Sequence, residues 1–261
     1  MTSSQQADPS AAGPEAAWHA RYLEQSRWTL DLRTRLLSQL GIQAGSCVLE
    51  VGSGTGVISR SLEERQGCSV VGLDIDPQAA FFASRFAPSP RLVIGDGMAL
   101  PFIESTFDAV VCHFLLLWVR NPRQVVVEMA RVTRPGTAIV AFAEPDYGGR
   151  IDFPDALARL GYLQADALSD AGADTKMGRK LRGLFSSVGL ANVHSGVLGG
   201  EWASAPDPAS LHSEWGTLEE DLRGQISARE LADLRERNLA AWDRGERILF
   251  VPTFYALGYK P

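Results

Sequence analysis

Val48-Leu-Glu-Val-Gly-Ser-Gly-Thr-Gly56 is an apolar run that breaks into three glycines at alternate positions. A buried strand ending in such a turn must bend its backbone sharply and bring it close to a ligand, and side chains would block both. The dinucleotide-binding pattern GxGxxG needs its third glycine at position 57, where Val57 stands. The GxGxG spacing makes a tighter turn, suited to a ligand with no pyrophosphate to seat on the following helix.

Around this loop the chain alternates. Short apolar runs at 47–51, 69–74, 91–94, 107–112 and 137–143 are separated by helical stretches, among them 57–65, 77–86 and 121–133. The runs are continuously apolar, as strands buried on both faces should be, and the alternation predicts a doubly wound parallel sheet. The pattern then changes. Residues 147–172 read as an irregular-to-helical insertion. Asp174 is expected to cap a helix carrying Leu181, Leu184, Phe185 and Val188 and closed by Gly189, and 190–198 reads as a strand. Pro206 and Pro208 open a polar helical insertion, 202–243, with a capping box of Ser227 and Glu230 before Leu231 and Leu234. Ile248–Tyr259, aromatic and β-branched, reads as a last strand. Upstream, residues 1–17 read as a disordered leader. Residues 18–40 read as one helix, with Trp18, Tyr22, Leu36, Leu37 and Leu40 at helical spacings, so the expected domain spans 18–261.

Composition narrows the partners. The 261 residues are 45% hydrophobic and 21% charged, an ordinary globular balance. The net charge of −6, with no basic block, argues against nucleic acid or an anionic membrane as the main partner. Cys47, Cys68 and Cys112 form no CxxC pair and His19, His113, His194 and His212 are scattered, so free thiols and no metal are expected. The first Lys or Arg is Arg21, and the longest apolar run, Ala109–Val119, is too short to span a bilayer. A cytoplasmic location is the expectation.

Three further stretches carry chemistry. In Val71-Gly-Leu-Asp74-Ile-Asp76-Pro77, Asp74 ends the second strand 22 residues after Gly52, where an acid receives a ribose diol. Pro77 opens a helix, with Asp76 as its N-cap. In Gly95-Asp96-Gly97-Met98, Asp96 either accepts the exocyclic amine of an adenine, with Met98 against the ring, or caps the N–H groups of its own turn. Phe107–His113 ends beside the first strand, at the switch point where open sheets bind ligands.

Together with Arg131-Val-Thr-Arg-Pro-Gly136, these stretches resemble the class I S-adenosylmethionine-dependent methyltransferases, in the small-molecule branch of ubiquinone and menaquinone biosynthesis. The resemblance covers about residues 47–143 and is weaker over 174–198 and at the last strand. It implies a doubly wound seven-stranded sheet, mostly parallel with an antiparallel last strand, plus helical lid insertions. It implies S-adenosylmethionine as cofactor, with methyl transfer to oxygen, nitrogen or sulfur of a small molecule. By position it puts Gly52, Ser53, Gly54 and Gly56 at the methionine part and Asp74 and Ile75 at the ribose and adenine. Asp96, Gly97 and Met98 fall at the adenine, and His113 on the sulfonium side.

The leader helix carries no family motif; from it Tyr22, Gln25 and Trp28 are offered as cofactor-facing. Methyl transfer from an activated donor asks the protein mainly for alignment and exclusion of water. Glu144, Asp146 and Tyr147 are the substrate-side candidates, with loop-shaping as the other reading of the two acids, and no catalytic base is assigned. The aromatics Trp18, Trp28, Tyr147, Phe153, Trp202 and Trp215 suggest a pocket lidded by 18–40, 147–172 and 202–243, with core packing as the other reading of each one. The alternatives are a nicotinamide-dependent oxidoreductase on the same sheet and a catalytically inactive partner subunit.

Overall fold

A computed structural model describes residues 14–86, 91–200 and 206–261. The strands are β1 (Cys47–Val51), β2 (Ser69–Asp74), β3 (Arg91–Ile94), β4 (Phe107–Cys112), β5 (Thr133–Pro145), β6 (Ile151–Phe153), β7 (Ala191–Leu198), β8 (Ile248–Phe250) and β9 (Thr253–Tyr259). Seven form one sheet in the order β3-β2-β1-β4-β5-β9-β7, and β6 pairs with β8. β1 lies parallel to β2 and β4, and β2 parallel to β3. β9 runs antiparallel to β7. The sheet is therefore the expected one, flanked by helices.

The chain divides into two compact units. The first holds Met1–His113, Glu128–Ile139 and Lys260. Its core is the sheet interior: Val48, Leu49, Val70, Ala109, Val110 and Val111 are sealed from solvent. Helices α3 (Val57–Gln66) and α4 (Pro77–Phe86) follow β1 and β2, and α5 (Pro122–Val132) precedes β5. Arg131 explains part of its own motif. Its guanidinium donates to the carbonyls of Leu100 and Phe102 at 2.9 and 2.8 Å and pairs with Glu128, so it pins the segment after β3.

The leader segment is two helices rather than one, α1 (Pro14–Trp28) and α2 (Leu30–Gln39), broken at Thr29. The expected disordered leader lies largely outside the described residues, which begin at 14, as does Trp202.

The second unit holds Phe114–Val127 and Val140–Tyr259. Both expected insertions fall here, as α6 (Ala158–Asp170), α8 (Pro208–Asp221) and α9 (Ala228–Asp243), and they share one core of Leu157, Leu160, Ala167, Trp215, Leu218, Leu222, Leu234 and Ala241. Of the two readings of Trp215, the structure takes the core one: it is 4% exposed, because its helix spends its apolar face on the other insertion. A buried ionic network ties this unit together. The Asp152 carboxylate takes Arg150 and Arg247, while Arg150 also meets Gln164 and Arg247 meets Asn238.

Two local expectations need correction. The last strand divides, because Val251-Pro252 separates β8, which pairs with β6, from β9. Helix α7 (Met177–Ser187) begins after Lys176, and its cap position makes no side-chain hydrogen bond. Asp174 instead shapes the turn before it, accepting from Lys176 N at 3.1 Å. Ser227 does cap α9, accepting from Glu230 N at 3.2 Å. Among the described residues, no helix is long and apolar enough to cross a membrane.

Candidate functional site

Sheet register assembles the site. Val51 is level with Leu73 on β2 and with Cys112 on β4, and Leu73 with Val93 on β3. One residue further on, Gly52, Asp74, Ile94 and His113 form a row at the carboxyl edge of the sheet, all within the first unit. The GxGxG turn is fastened to this row: Gly52 N and Ser53 N both donate to Leu73 O, at 2.8 and 3.0 Å. Gly54 (φ +50) and Gly56 (φ +77) occupy the left-handed region, which a side chain would strain. Gly56 is also the N-cap of α3.

Asp74 is half-buried and organises the loop. One carboxylate oxygen accepts from Gly54 N at 2.6 Å and the other from Asp76 N at 2.9 Å. Each oxygen keeps a lone pair, so the group still has capacity for two hydroxyls. Beside it Ile75 is 68% exposed, an apolar side chain held out in solvent at the sheet edge. Asp76 caps α4 through Gln78 N at 2.8 Å. Asp96 is half-buried and accepts from Met98 N at 2.8 Å with one oxygen, which caps its own turn and leaves the other oxygen available. Gly97 and Met98 lie in that turn, half-buried. The Ser53 hydroxyl turns away from the edge and packs under Gly72, where a Cβ would sit 2.9 Å from it.

Helix α1 closes over the loop. The Tyr22 ring stands where a Cβ on Gly54 would meet it at 3.0 Å. Burial, then the Asp74 charge, raises the pKa of its phenol. His19 Nδ1 lies 2.9 Å from the Thr55 hydroxyl. Trp28, offered from the same helix, is 63% exposed and Gln25 is half-buried. Sequence reading missed His19, Thr29, Arg33 and Glu50. The signal for the last two was a charged residue in an apolar setting, Arg33 between leucines of α2 and Glu50 inside β1. Glu50 is 1% exposed, takes the Ser59 hydroxyl, and is pushed up to about 8 by burial.

The substrate-side candidates lie in the second unit and are already engaged. Glu144 is fully buried, and its carboxylate accepts from the backbone N–H groups of Leu115, Leu116 and Leu117 at 3.0, 2.7 and 3.1 Å. Asp146 is buried against Arg179, which donates through two nitrogens. Both acids shape their loops. Tyr147 is half-buried, and its N–H donates to Thr175 O at 2.8 Å.

Comparison with known proteins follows the same outline. Residues 49–141 match the family described as "Methyltransferase domain". The demethylmenaquinone methyltransferase of Renibacterium salmoninarum is 36% identical over 124 residues, 47% of this chain and 50% of the relative. That of Shouchella clausii is 32% identical over 187 residues, 62% of this chain and 77% of the relative. The chain spans about half the length of the first curated relatives it matches. Among solved structures, a phosphoethanolamine N-methyltransferase of Haemonchus contortus with S-adenosyl-L-methionine aligns with a TM-score of 0.58 at 14% identity, over 92% of this chain and 56% of that one, a likeness of fold.

Proposed function

This chain belongs to the class I S-adenosylmethionine-dependent methyltransferases of the menaquinone and ubiquinone type, and from that premise we propose that it methylates a small-molecule acceptor, with the Gly52–Gly56 loop, Asp74 and the Asp96 turn as its cofactor site. The observation that carries the reading is the single row of Gly52, Asp74, Ile94 and His113 at the carboxyl edge of the sheet, with the glycine loop bonded to Leu73 and Asp74.

The residues fit such a cofactor. Gly54 and Gly56 hold left-handed backbone that a side chain would strain, and a Cβ on Gly54 would crowd the Tyr22 ring. Asp74 has lone pairs left for the ribose diol, and Ile75 and Met98 offer apolar flanks to adenine. Asp96 keeps an oxygen for the amine, and Gly52, Ser53 and Gly97 contribute backbone. Tyr22 lies against the loop and His113 stands level with Gly52. When bound, S-adenosylmethionine supplies a methyl group on positive sulfur. The chain's own residues then bind, orient and keep water out, with no proton transfer required of them unless the acceptor carries one on its nucleophile. His113 is suited to a neutral wall. Burial, then the Arg33 charge, pushes its imidazole down to about 3. Trp28 is the weakest member of the proposed set.

Selectivity for the acceptor is assigned to the insertions 147–172 and 202–243, which lie beyond the family match at 49–141. Tyr147 is their best-placed candidate, since its ring is half-buried and its loop is fixed by Glu144 and Asp146. The relatives' names make demethylmenaquinone the first acceptor to try. Three free cysteines fit a reducing, cytoplasmic compartment. Titration calorimetry of the full chain tests the site: S-adenosylhomocysteine should bind and NADH should not. Heat with NADH and none with S-adenosylhomocysteine would replace the reading with a nicotinamide enzyme.

A further inference from the structure

The chain carries a net charge of −6, yet its acids and bases are unevenly spread. Residues 114–127 and 174–198, both in the second unit, hold Arg120, Arg123, Lys176, Arg179, Lys180 and Arg182 against one acid, Asp174. These stretches therefore carry +5 and the remainder of the chain −11. They lie far apart in the chain, so the sequence shows no basic block. The fold brings them side by side. Asp174 N, just before α7, donates to Leu117 O at 2.7 Å, and an Arg123 guanidinium nitrogen donates to Ser187 O at its far end, at 3.4 Å. The strip 117–123 thus runs along the length of α7.

Helix α7 turns Met177, Leu181 and Phe185 inward and packs on β9 and β7. Lys176, Arg179, Lys180 and Arg182 are all exposed, and neither α7 nor β7 carries an acid. Two acids meet this surface: Asp174 pairs with Lys180, and the buried Asp146 with Arg179. On the neighbouring strip Arg120 and Arg123 are exposed, and Trp118 is 45% exposed beside the start of α7.

We propose that this face docks the protein on an anionic lipid bilayer, with Trp118 as its interfacial anchor, and that the methyl acceptor is accordingly lipid-soluble. The cations recur along the whole helix, about 16 Å of it, and along the strip beside it, instead of converging on one point. That spread suits a plane of charge. Anionic headgroups attract each Lys and Arg near the surface, and an exposed indole settles at headgroup level with its apolar body toward the acyl chains. The face also begins at the loop to which acceptor choice is assigned. Tyr147 N donates to Thr175 O at 2.8 Å, Arg179 holds Asp146, and a Cβ on Gly148 would lie 3.0 Å from both Lys176 Cε and Arg179 Nη2. A molecule leaving the bilayer beside the first turn of α7 meets the Tyr147 loop at once.

The inference rests on the proposed function for its acceptor, and two readouts keep them apart. The full chain is sedimented with vesicles of phosphatidylcholine, alone or mixed with phosphatidylglycerol, at low and high salt, and is titrated with S-adenosylhomocysteine in solution. It should bind the mixed vesicles, release them in high salt, and bind the neutral ones far more weakly. Arg120→Gln, Lys176→Gln and Arg182→Gln together should weaken vesicle binding about hundredfold and leave S-adenosylhomocysteine affinity unchanged. Arg229→Gln, Arg235→Gln and Arg237→Gln, which take as many charges from α9, should change neither. Equal losses in the two triple variants would assign the binding to net charge and overturn the proposal. A chain that binds S-adenosylhomocysteine but no vesicles overturns it while the function reading stands. Retention on immobilised polyglutamate without vesicle binding would make the face a dock for an acidic protein, and overturns it too. Vesicle binding abolished by the first triple variant, in a chain that takes no S-adenosylhomocysteine, keeps the face and removes the function reading.

Discussion

The acids of the two units are put to different uses. In the first unit Asp74, Asp76 and Asp96 stand at strand ends, accept one or two backbone N–H groups each, and remain half-buried or exposed. In the second, Glu144 and Asp146 are buried, held by three backbone N–H groups and by the Arg179 guanidinium respectively, and the Asp152 side chain, 2% exposed, sits between two guanidinium groups. An acid with lone pairs to spare at a sheet edge can serve a ligand. An acid sealed among donors holds a loop together, and removing it leaves those donors uncompensated.

The largest expected effect tests that contrast directly. Asp152→Ala leaves Arg150 and Arg247 buried without their carboxylate, and their side chains are only 4% and 0% exposed. A loss of about 3–5 kcal/mol is expected from breaking a buried ion network on one side. Asp76→Ala, which removes an exposed cap, should cost about 1 kcal/mol. Urea denaturation of both variants measures the pair, and equal losses would mean that the second unit's network is no more than surface pairing.

Glu144 supplies the next effect, in pH. Burial pushes its carboxyl up from 4.5 to about 7, against the pull of three backbone donors. Between those values the folded chain holds a proton that the unfolded chain has released. Stability therefore falls as pH rises from about 4.5 to about 7 and levels off above, by about 3 kcal/mol in all. Glu50, pushed up to about 8, slopes the same way and extends the window. Urea midpoints from pH 5 to 8 should fall in the native protein. Glu144→Gln should make that fall shallower, leaving the slope of Glu50 and, below about 6.5, the opposing slope of His113, which the folded chain keeps neutral; an unchanged slope would show that Glu144 titrates at its ordinary value.

What could be seen in the sequence follows from what backbone geometry demands. Gly54 and Gly56 must be glycine because their φ is positive, and the apolar runs at β1, β2, β4 and β5 read as strands because the sheet buries most of their residues, while the edge strand β3 stays half-open. These constraints write themselves into residue type at fixed spacing, so the sheet, the loop and Asp74 were legible. Long-range pairing leaves no such mark. Nothing local in Asp152 says that Arg247 will find it, or in Thr29 that its hydroxyl will leave the helix end for His113. Trp215 and Trp28 show the same limit: an aromatic on a polar helix reads alike whether it is buried against a second insertion or left in solvent.

Asp74 gives a smaller effect, read in binding. Asp74→Ala removes the acceptor of both Gly54 N and Asp76 N, and with it the proposed seat of the ribose diol. Calorimetry should find S-adenosylhomocysteine binding weakened by about 2 kcal/mol, close to thirtyfold. The global urea midpoint should move little, because the acid is half-buried at a strand end. If affinity holds while the protein stays folded, the ligand does not use this edge of the sheet, and the contrast between spare and committed acids loses its functional meaning.

The smallest effect concerns a site in the second unit whose role the sequence declared. Ser227 has extended backbone (φ −70, ψ 151), and its hydroxyl accepts from Glu230 N, satisfying one of the N–H groups that the first turn of α9 leaves open. Glu230 in turn meets Arg159 at 2.6 Å across the insertion core, but both side chains are partly exposed and that pair should add little. Ser227→Ala should therefore cost about 1 kcal/mol and lower the melting temperature by about 2–4 °C. Because the cap is local, faster hydrogen exchange should be confined to the first turn of α9, with the Asp152 network and the glycine loop unaltered. Ser227→Asp should recover the loss, since a carboxylate also accepts there and suits the positive end of the helix. Exchange that quickened throughout the second unit would mean that the cap holds more than its own helix, and that even a motif plain in the sequence is wired into the buried pairing around it.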